Sequence, residues 1–190
     1  MAQGHLFIIS APTGAGKTTL ANAVIKKLAS TILLEKIVTY TTRPPRPREL
    51  PDIDYHFISP EAFTRKEHEN FFLETNFYNN FWYGSPRSIV TDLAQGKSLI
   101  LITDRNGAQG IKKLIPSAVL IWISVPDMDT LEERLSKRGS EHDEALAHRI
   151  ALAQQEMEQE KHEPLFEAHI MNDNLTTALC ELEQFIRARC

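Results

Sequence analysis

A glycine-rich loop with a lysine and three threonines follows a short apolar segment and precedes a helical pattern. It reads SAPTGAGKTT over residues 10–19. Gly14 and Gly16 allow the backbone to direct successive N–H groups at one anion, and the helix start adds its positive dipole end. Lys17 would place charge at the β- and γ-phosphates, and the Thr18 hydroxyl is placed for Mg²⁺. The motif predicts a phosphate loop (P-loop) for a nucleoside triphosphate.

The loop departs from the P-loop pattern GxxxxGK[ST] at its first position, where Ala11 stands in place of glycine. That position needs a tight turn more than a phosphate contact, so alanine weakens the pattern without removing it. The alternative is a glycine-rich turn that binds no ligand, but the order strand, loop, lysine, threonine, helix favours phosphate binding. The residues expected to bind ATP are Ala11, Pro12, Thr13, Gly14, Ala15, Gly16, Lys17, Thr18 and Thr19.

Three arginines alternate with prolines in residues 42–48. Proline favours the polyproline II form, whose three-residue turn puts Arg43 and Arg46 on one side. Two guanidinium groups on one face would make a bidentate clamp for a phosphate monoester, and Tyr55 and Tyr83 would add hydroxyl donors. Taken alone, the same composition also fits a solvated basic loop or a proline-rich ligand for another domain.

The rest of the chain supplies the elements that must position these groups. Apolar runs predict central strands at residues 5–10, 99–103, 119–125 and 169–172. Helical patterns lie at residues 17–29, 86–94, 129–137, 143–159 and 176–188. Strands that alternate with helices predict an α/β fold, with a parallel sheet flanked by helices. Residues 37–82 do not follow this alternation and predict an inserted unit of short strands and turns. The polar helical segment 136–161, with Gly139 as a hinge, would be a mobile lid.

Composition limits the class of protein. The chain has 190 residues, 24% charged and 42% hydrophobic, which is typical of one globular domain with smaller insertions. Its net charge of −4 provides no electrostatic footprint for nucleic acid. The longest apolar run, residues 118–125, is too short to cross a bilayer, and residues 1–10 lack the basic start of a signal peptide. We therefore expect a cytoplasmic protein that binds neither nucleic acid nor membrane.

Several other residues fit structural roles better than chemical ones. Cys180 and Cys190 form no CxxC pair, and His142 and His148 are not spaced for one helical face, so neither a disulfide framework nor a zinc site is indicated. The tryptophans predicted to lie in the core are Trp82 and Trp122. The acidic residues predicted to form a solvated helix face are Glu156, Glu158, Glu160 and Glu163.

Short motifs in one order along the chain resemble those of the guanylate kinase family. The P-loop resembles SGPSGAGKSS, and TTRPPRPRELPDIDYHF resembles TTRxxRxGExxGxDYxF. FFLE and FWYGS resemble the FLE and YYGS elements, and RLSKRG resembles RLxxRG. Arg149 with Glu156 fits RxxxAxxE, and IMNDN is similar to IVNDD. The matches run from Leu6 to Leu175, nearly the whole chain.

The resemblance implies an enzyme that transfers the γ-phosphoryl group of ATP to GMP with Mg²⁺, and it implies roles for individual residues. The GMP-binding set would be Thr39, Arg43, Arg46, Glu49, Tyr55, Glu74, Tyr83, Ser85 and Asp104. The charged groups at the transferring phosphates would be Lys17, Arg43, Arg134, Arg138 and Arg149, with Asn172 near adenine. The implied architecture is a core (1–35, 98–136, 162–190), a small α+β GMP-binding subdomain (36–97) and a helical lid (137–161).

Guanine chemistry agrees independently with part of this set. The N1–H and N2 amino groups are donors that suit the Glu74 carboxylate, and O6 is an acceptor that suits the Thr39 hydroxyl. Three positions depart from the family pattern: Thr39 replaces serine, Arg48 replaces glycine, and Asp104 matches either of two registers of the family's acid-Ile-Asp-x-Gln-Gly segment.

Two other functions fit parts of the pattern. Guanylate-kinase-like domains also occur as inactive protein-binding units, but those usually lack the complete P-loop and arginines present in this chain. A P-loop kinase for a sugar phosphate would have no use for the base-reading carboxylate of Glu74.

Overall fold

The computed structural model describes residues 4–47, 49–137 and 143–190, so Arg48, Arg138, Gly139 and His142 lie outside the described residues. The helices are α1 (Lys17–Leu28), α2 (Pro60–His68), α3 (Ser88–Ala94), α4 (Arg105–Leu114), α5 (Met128–Lys137), α6 (Asp143–His162) and α7 (Leu175–Arg187). The strands are β1 (Leu6–Ser10), β2 (Leu34–Lys36), β3 (Thr39–Thr41), β4 (Tyr55–Phe57), β5 (Phe72–Tyr78), β6 (Phe81–Pro86), β7 (Ser98–Ile102), β8 (Val119–Ser124) and β9 (Ala168–Met171).

Five strands form a parallel sheet in the order β2-β7-β1-β8-β9. The central strand β1 is buried along its whole length, which explains its uninterrupted apolar sequence. Its side chains alternate between two layers: Phe7 and Ile9 pack with α1 and α7, and Leu6 and Ile8 pack with α3 and α4. The carboxyl ends of β1 and β7 therefore meet at one edge of the sheet, where α/β proteins place their ligands.

A second sheet, β4-β3-β6-β5, is formed by the segment between β2 and β7. Aromatic rings fill the space between this sheet and α2: Phe63 stacks on Phe72 with centroids 4.6 Å apart, and Tyr40 meets Phe72 edge-on at 5.5 Å. Helix α2 begins where Ser59 accepts a hydrogen bond from the Ala62 N–H at 3.2 Å. The inserted unit forms a separate sheet and also contains the helix α2, as the implied small α+β subdomain predicts.

Several local predictions need correction. The short strand β2 and the helix α4 were not predicted; Gly107 and Gly110 lie in α4, and glycine has a low helix propensity. Trp122 is buried as predicted, but Trp82 is 40% exposed although its ring packs against Phe63 of α2 and Phe77. Glu156 and Glu160 are buried, at 7% and 4% exposure, so only Glu158 and Glu163 belong to a solvated face.

Candidate functional site

The P-loop owes its shape to two glycines and to an asparagine from β9's carboxyl end. Gly14 and Gly16 have φ angles of 94° and 95°, which L side chains rarely adopt. A Cβ atom on Gly16 would lie 2.6 Å from Nδ2 of Asn172. That same amide donates to the Ala15 carbonyl at 2.7 Å. Lys17 donates from Nζ to the carbonyl of Ala11, which holds the ammonium group across the loop.

A cleft of about 770 Å³ opens in front of the P-loop and extends to the small sheet. Its lining combines the predicted triphosphate and monophosphate sites. The predicted site residues that line it are Pro12, Thr13, Gly14, Gly16, Lys17, Thr18, Thr19, Thr39, Arg43, Arg46, Glu49, Tyr55, Glu74, Tyr83, Ser85 and Asp104. The P-loop and the arginines of the small sheet therefore line one cleft.

Arginines gather at the wall of the cleft that the small sheet forms. Arg43 makes a two-pronged ion pair with Glu49, whose carboxylate also accepts from the Arg46 N–H at 2.7 Å. Burial lowers the pKa of Arg46, and the nearby charges of Arg149 and Arg43 lower it further. Three guanidinium groups therefore lie close together, and a bound polyanion would offset the repulsion between their positive charges.

The pocket expected to read the base contains two carboxyl groups. Burial, reinforced by the charge of Asp104, raises the pKa of Glu74 to about 8, although a hydrogen bond with Ser85 opposes the shift. Asp104 is the N-cap of α4, and its Oδ1 accepts from the N–H groups of Asn106 and Gly107 at 2.9 and 3.0 Å. Its other oxygen, Oδ2, accepts from Asn76 Nδ2 at 2.6 Å. The Asp104 carboxylate is therefore already engaged on both oxygens.

Two residues of this pocket were not singled out from the sequence. Asn76 and Tyr78 follow Glu74 at alternate positions of β5, so the period-two pattern of the strand could have placed all three on one face. Burial and then the neighbouring Glu156 raise the pKa of Tyr78. Burial raises the pKa of Glu156 to about 7, against the opposing charge of Lys17. Glu156 therefore lies between the P-loop and the small sheet.

The other predicted residues that the structure describes do not line the cleft. Ala11, Ala15 and Asn172 are buried in or beneath the P-loop. Arg134 donates from Nη2 to the carbonyl of Asn172 at 2.9 Å, which ties α5 to the end of β9. Arg149 is buried on α6. The predicted role of Arg138 lies outside the described residues.

Neither a protein-only metal site nor a membrane span is found in the part of the chain that the structure describes. Within residues 4–47, 49–137 and 143–190, no group of three or more metal-ligating side chains (His, Cys, Asp or Glu) could hold a metal ion. None of the helices in those ranges is long and apolar enough to cross a membrane.

A parallel sheet with a P-loop at the end of its central strand, and an inserted sheet facing it, defines a P-loop protein of the nucleoside monophosphate kinase class. The guanylate kinase family model matches residues 3–189. The chain is 39% identical to a guanylate kinase of Hydrogenovibrio crunogenus, over 97% of this chain and 88% of the relative. It is 38% identical to one of a Shewanella species (strain MR-7), over 99% and 89%. This chain belongs to the guanylate kinase family.

A solved structure shows a similar fold. The crystal structure of guanylate kinase from Anaplasma phagocytophilum superposes with a TM-score of 0.80 and covers 100% of this chain and 87% of that one. The two sequences are 23% identical, so the overall path of the chain is shared despite extensive sequence change.

Proposed function

We propose that this chain transfers the γ-phosphoryl group of ATP to GMP, giving ADP and GDP. One observation carries the proposal: a single cleft has a P-loop on one wall, and a cluster of arginines beside a half-buried carboxyl pair on the other. The P-loop suits the donor triphosphate. The arginines suit the acceptor phosphate, and Glu74 suits a base that presents two donors.

The donor would bind along the P-loop. The N–H groups of residues 13–19 would surround the β-phosphate, and Lys17 would exchange its carbonyl contact with Ala11 for the β- and γ-phosphate oxygens. Asn172 and Arg134 would act from beneath, because their hydrogen bonds brace the P-loop and the end of β9. Arg149 and Arg138 would complete the charge around the γ-phosphoryl group.

The acceptor would bind against the small sheet. Arg46 and Arg43, with Tyr55 and Tyr83, would hold the GMP phosphate, and Glu49 would orient Arg43. The base would lie between Thr39, Ser85, Glu74 and Asp104. The donors of guanine would replace the proton that the high pKa of Glu74 retains at neutral pH.

The GMP phosphate is already an anion at neutral pH, so its attack on the γ-phosphorus needs no general base. Catalysis would consist of in-line positioning and neutralisation of negative charge by Lys17 and the arginines. The exposed Thr18 hydroxyl at the start of α1 fits Mg²⁺, since that ion keeps most of its waters and is held largely through substrate phosphates. Mg²⁺ would supply additional charge neutralisation at the phosphates.

The division of the chain follows the same interpretation. Residues 36–97 would form the GMP-binding subdomain and residues 137–161 the lid, on a core of 1–35, 98–136 and 162–190. Closure of both parts would exclude water, which would otherwise accept the phosphoryl group. Cytoplasmic ATP and GMP would be the substrates, and nucleic acid and membranes would not be partners.

The two alternatives make different demands on the site. An inactive protein-binding domain would not need Lys17 and the arginine cluster directed at one cleft. A sugar-phosphate kinase would not need the half-buried carboxyl pair of Glu74 and Asp104 where the acceptor's base would lie. Both alternatives predict no turnover of GMP.

The test is ADP release with ATP and Mg²⁺ in the presence of GMP, AMP, CMP or UMP, each at equal concentration. We expect rapid release with GMP and little with the others. ADP release that remains with the Lys17→Ala variant measures the activity of contaminating kinases in the preparation. Release that is equal for all four nucleotides, or absent with GMP, contradicts the proposal.

A further inference from the structure

The buried face of α6 is charged rather than apolar. From residue 146 to its end, the buried residues are Arg149, Ala153, Glu156 and Glu160. Their spacing of four, three and four residues places them along one stripe of the helix. Because three of the four are ionisable, polar contacts decide how this face of α6 is seated.

The strongest of these contacts lies at the carboxyl end of the helix. Arg105 donates from Nη1 to Oε2 of Glu160, and both side chains are less than a tenth exposed. The same carboxylate accepts from the N–H groups of Leu165 and Phe166, at 3.1 and 3.2 Å to Oε1, and lies 2.9 Å from His169 Nε2. Glu160 therefore anchors the turn in which α6 ends.

Arg105 also contacts that turn directly, because its Nη2 donates to the carbonyl of Glu163. The guanidinium group thus binds one side chain of α6 and the backbone just beyond it. A planar fork is suited to such a double contact, whereas a lysine ammonium is not.

Arg105 follows Asp104, which links α4 to the small sheet through Asn76. The first turn of α4 is therefore joined on one side to the acceptor wall of the cleft and on the other to the base of α6. Nearer the amino end of α6 is Arg149, whose charge acts on Arg46. Glu156 lies between Arg149 and Glu160 along the helix, beside Lys17 and Thr13.

We propose that Arg105 and Glu160 are positioning residues for phosphoryl transfer: their ion pair fixes the base of α6 relative to the first turn of α4, and thereby aligns Arg149 and Glu156 with the cleft. The proposal deepens the guanylate kinase function and rests on it. A buried ion pair often contributes no more stability than an apolar pair of the same volume, so orientation is the better account of this one.

The test compares Glu160→Gln with wild type in steady-state kinetics. Glutamine keeps an acceptor for the turn's N–H groups but loses the charge that holds Arg105. We expect kcat to fall about tenfold, since small misalignments far from the reacting atoms can cost that much. The KM values for ATP and GMP should change less than about threefold, because neither residue lines the cleft.

Glu167→Gln is the matched control. Glu167 pairs with Lys112 at 2.9 Å, so it too joins α4 to the segment after α6, but at the exposed carboxyl end of α4. It should keep wild-type kcat. An equal loss of kcat in both variants would show a general tether and overturn the proposal, as would wild-type kcat in a folded Glu160→Gln chain.

Arg105→Lys and Arg105→Gln keep the proposal falsifiable if Glu160→Gln does not fold. When the two variants have equal folded fractions, judged by circular dichroism, Arg105→Lys should have a higher kcat than Arg105→Gln because lysine keeps the positive charge. Equal kcat values overturn the proposal. Failure of all three variants to fold would show that the pair serves folding and would also overturn it. If the proposed kinase function is wrong, the wild-type chain will not turn over GMP at all, and that result is distinct from every outcome above.

Discussion

The Glu49 carboxylate accepts hydrogen bonds from both terminal nitrogens of Arg43, at 3.0 Å from Nη1 and 2.9 Å from Nη2. The clamp predicted for a phosphate is therefore partly engaged by a carboxylate of the protein itself. Arg46 contributes only its backbone N–H to the same carboxylate, and it lines the cleft. Of the two arginines, Arg46 is the more available for a ligand phosphate.

The first prediction follows from that difference. Arg46→Ala should raise the KM for GMP by roughly 10- to 100-fold, the range expected for a lost hydrogen bond to a charged group, with the KM for ATP changed less than about twofold. Arg46→Lys should restore only part of the affinity because it lacks the fork. Initial rates with each substrate varied in turn provide the measurement.

Arg65→Ala is the control, because Arg65 is exposed on α2 in the same inserted unit. Arg43→Ala should affect GMP as well and also lower thermal stability, since it leaves Glu49 without its partner. A loss of ATP affinity in place of GMP affinity would assign these arginines to the donor.

The second prediction concerns Lys17. Lys17→Ala should lower kcat by about 10²-fold or more and leave GMP binding nearly unchanged, because the ammonium charge matters most as negative charge moves onto the β–γ bridge. Steady-state rates and GMP titration by calorimetry measure the two effects. Lys26→Ala, on the exposed face of the same helix, is the control. Near-normal kcat in a folded Lys17→Ala chain would refute the P-loop assignment.

The third prediction is the order of acceptors. GMP should have the highest kcat/KM, followed by IMP, then AMP, with pyrimidine nucleotides negligible. AMP has a lone pair at N1 and lacks the N2 amino group, so it offers the Glu74 carboxylate neither of the donors of guanine, which can reduce kcat/KM by roughly 10⁴-fold. Glu74→Gln should narrow the gap, because an amide can donate as well as accept. A wild-type gap between GMP and AMP of only about tenfold would exclude Glu74 from base recognition.

The fourth prediction concerns pH. The pKa of Glu74 is raised to about 8 in the ligand-free protein, and the donors of guanine favour the ionised carboxyl. GMP affinity should therefore increase as the pH rises from about 6.5 and level off above about 8, with proton release on binding at neutral pH.

The comparison with Glu74→Gln isolates that carboxyl. The phosphate of GMP loses its own second proton near pH 6, and Glu156 titrates near 7, but both remain in the variant. Calorimetric titrations in two buffers of different ionisation enthalpy count the protons released. Parallel pH profiles for wild type and Glu74→Gln would show that Glu74 does not gain its charge on binding.

Local patterns in the sequence were enough to predict the parts of the molecule whose structure depends on residues that are neighbours along the chain. The P-loop was predicted from ten consecutive residues because its anion site is built from its own backbone, and the φ angles of Gly14 and Gly16 agree with that reasoning. The apolar runs of β1, β7, β8 and β9 predicted the parallel sheet for the same reason. The motifs that resemble the guanylate kinase family identified the family itself.

Contacts between distant segments decided the rest. Glu156 and Glu160 were predicted to be solvated because glutamate is rarely buried without a partner, and the partner of Glu160, Arg105, is 55 residues away in sequence. The pKa of Glu74 is raised by burial in the folded chain and further by the charge of Asp104, which α4 brings beside it. Burial and the approach of one charge to another depend on distances in space, which the sequence leaves open until the sheet and its helices have packed.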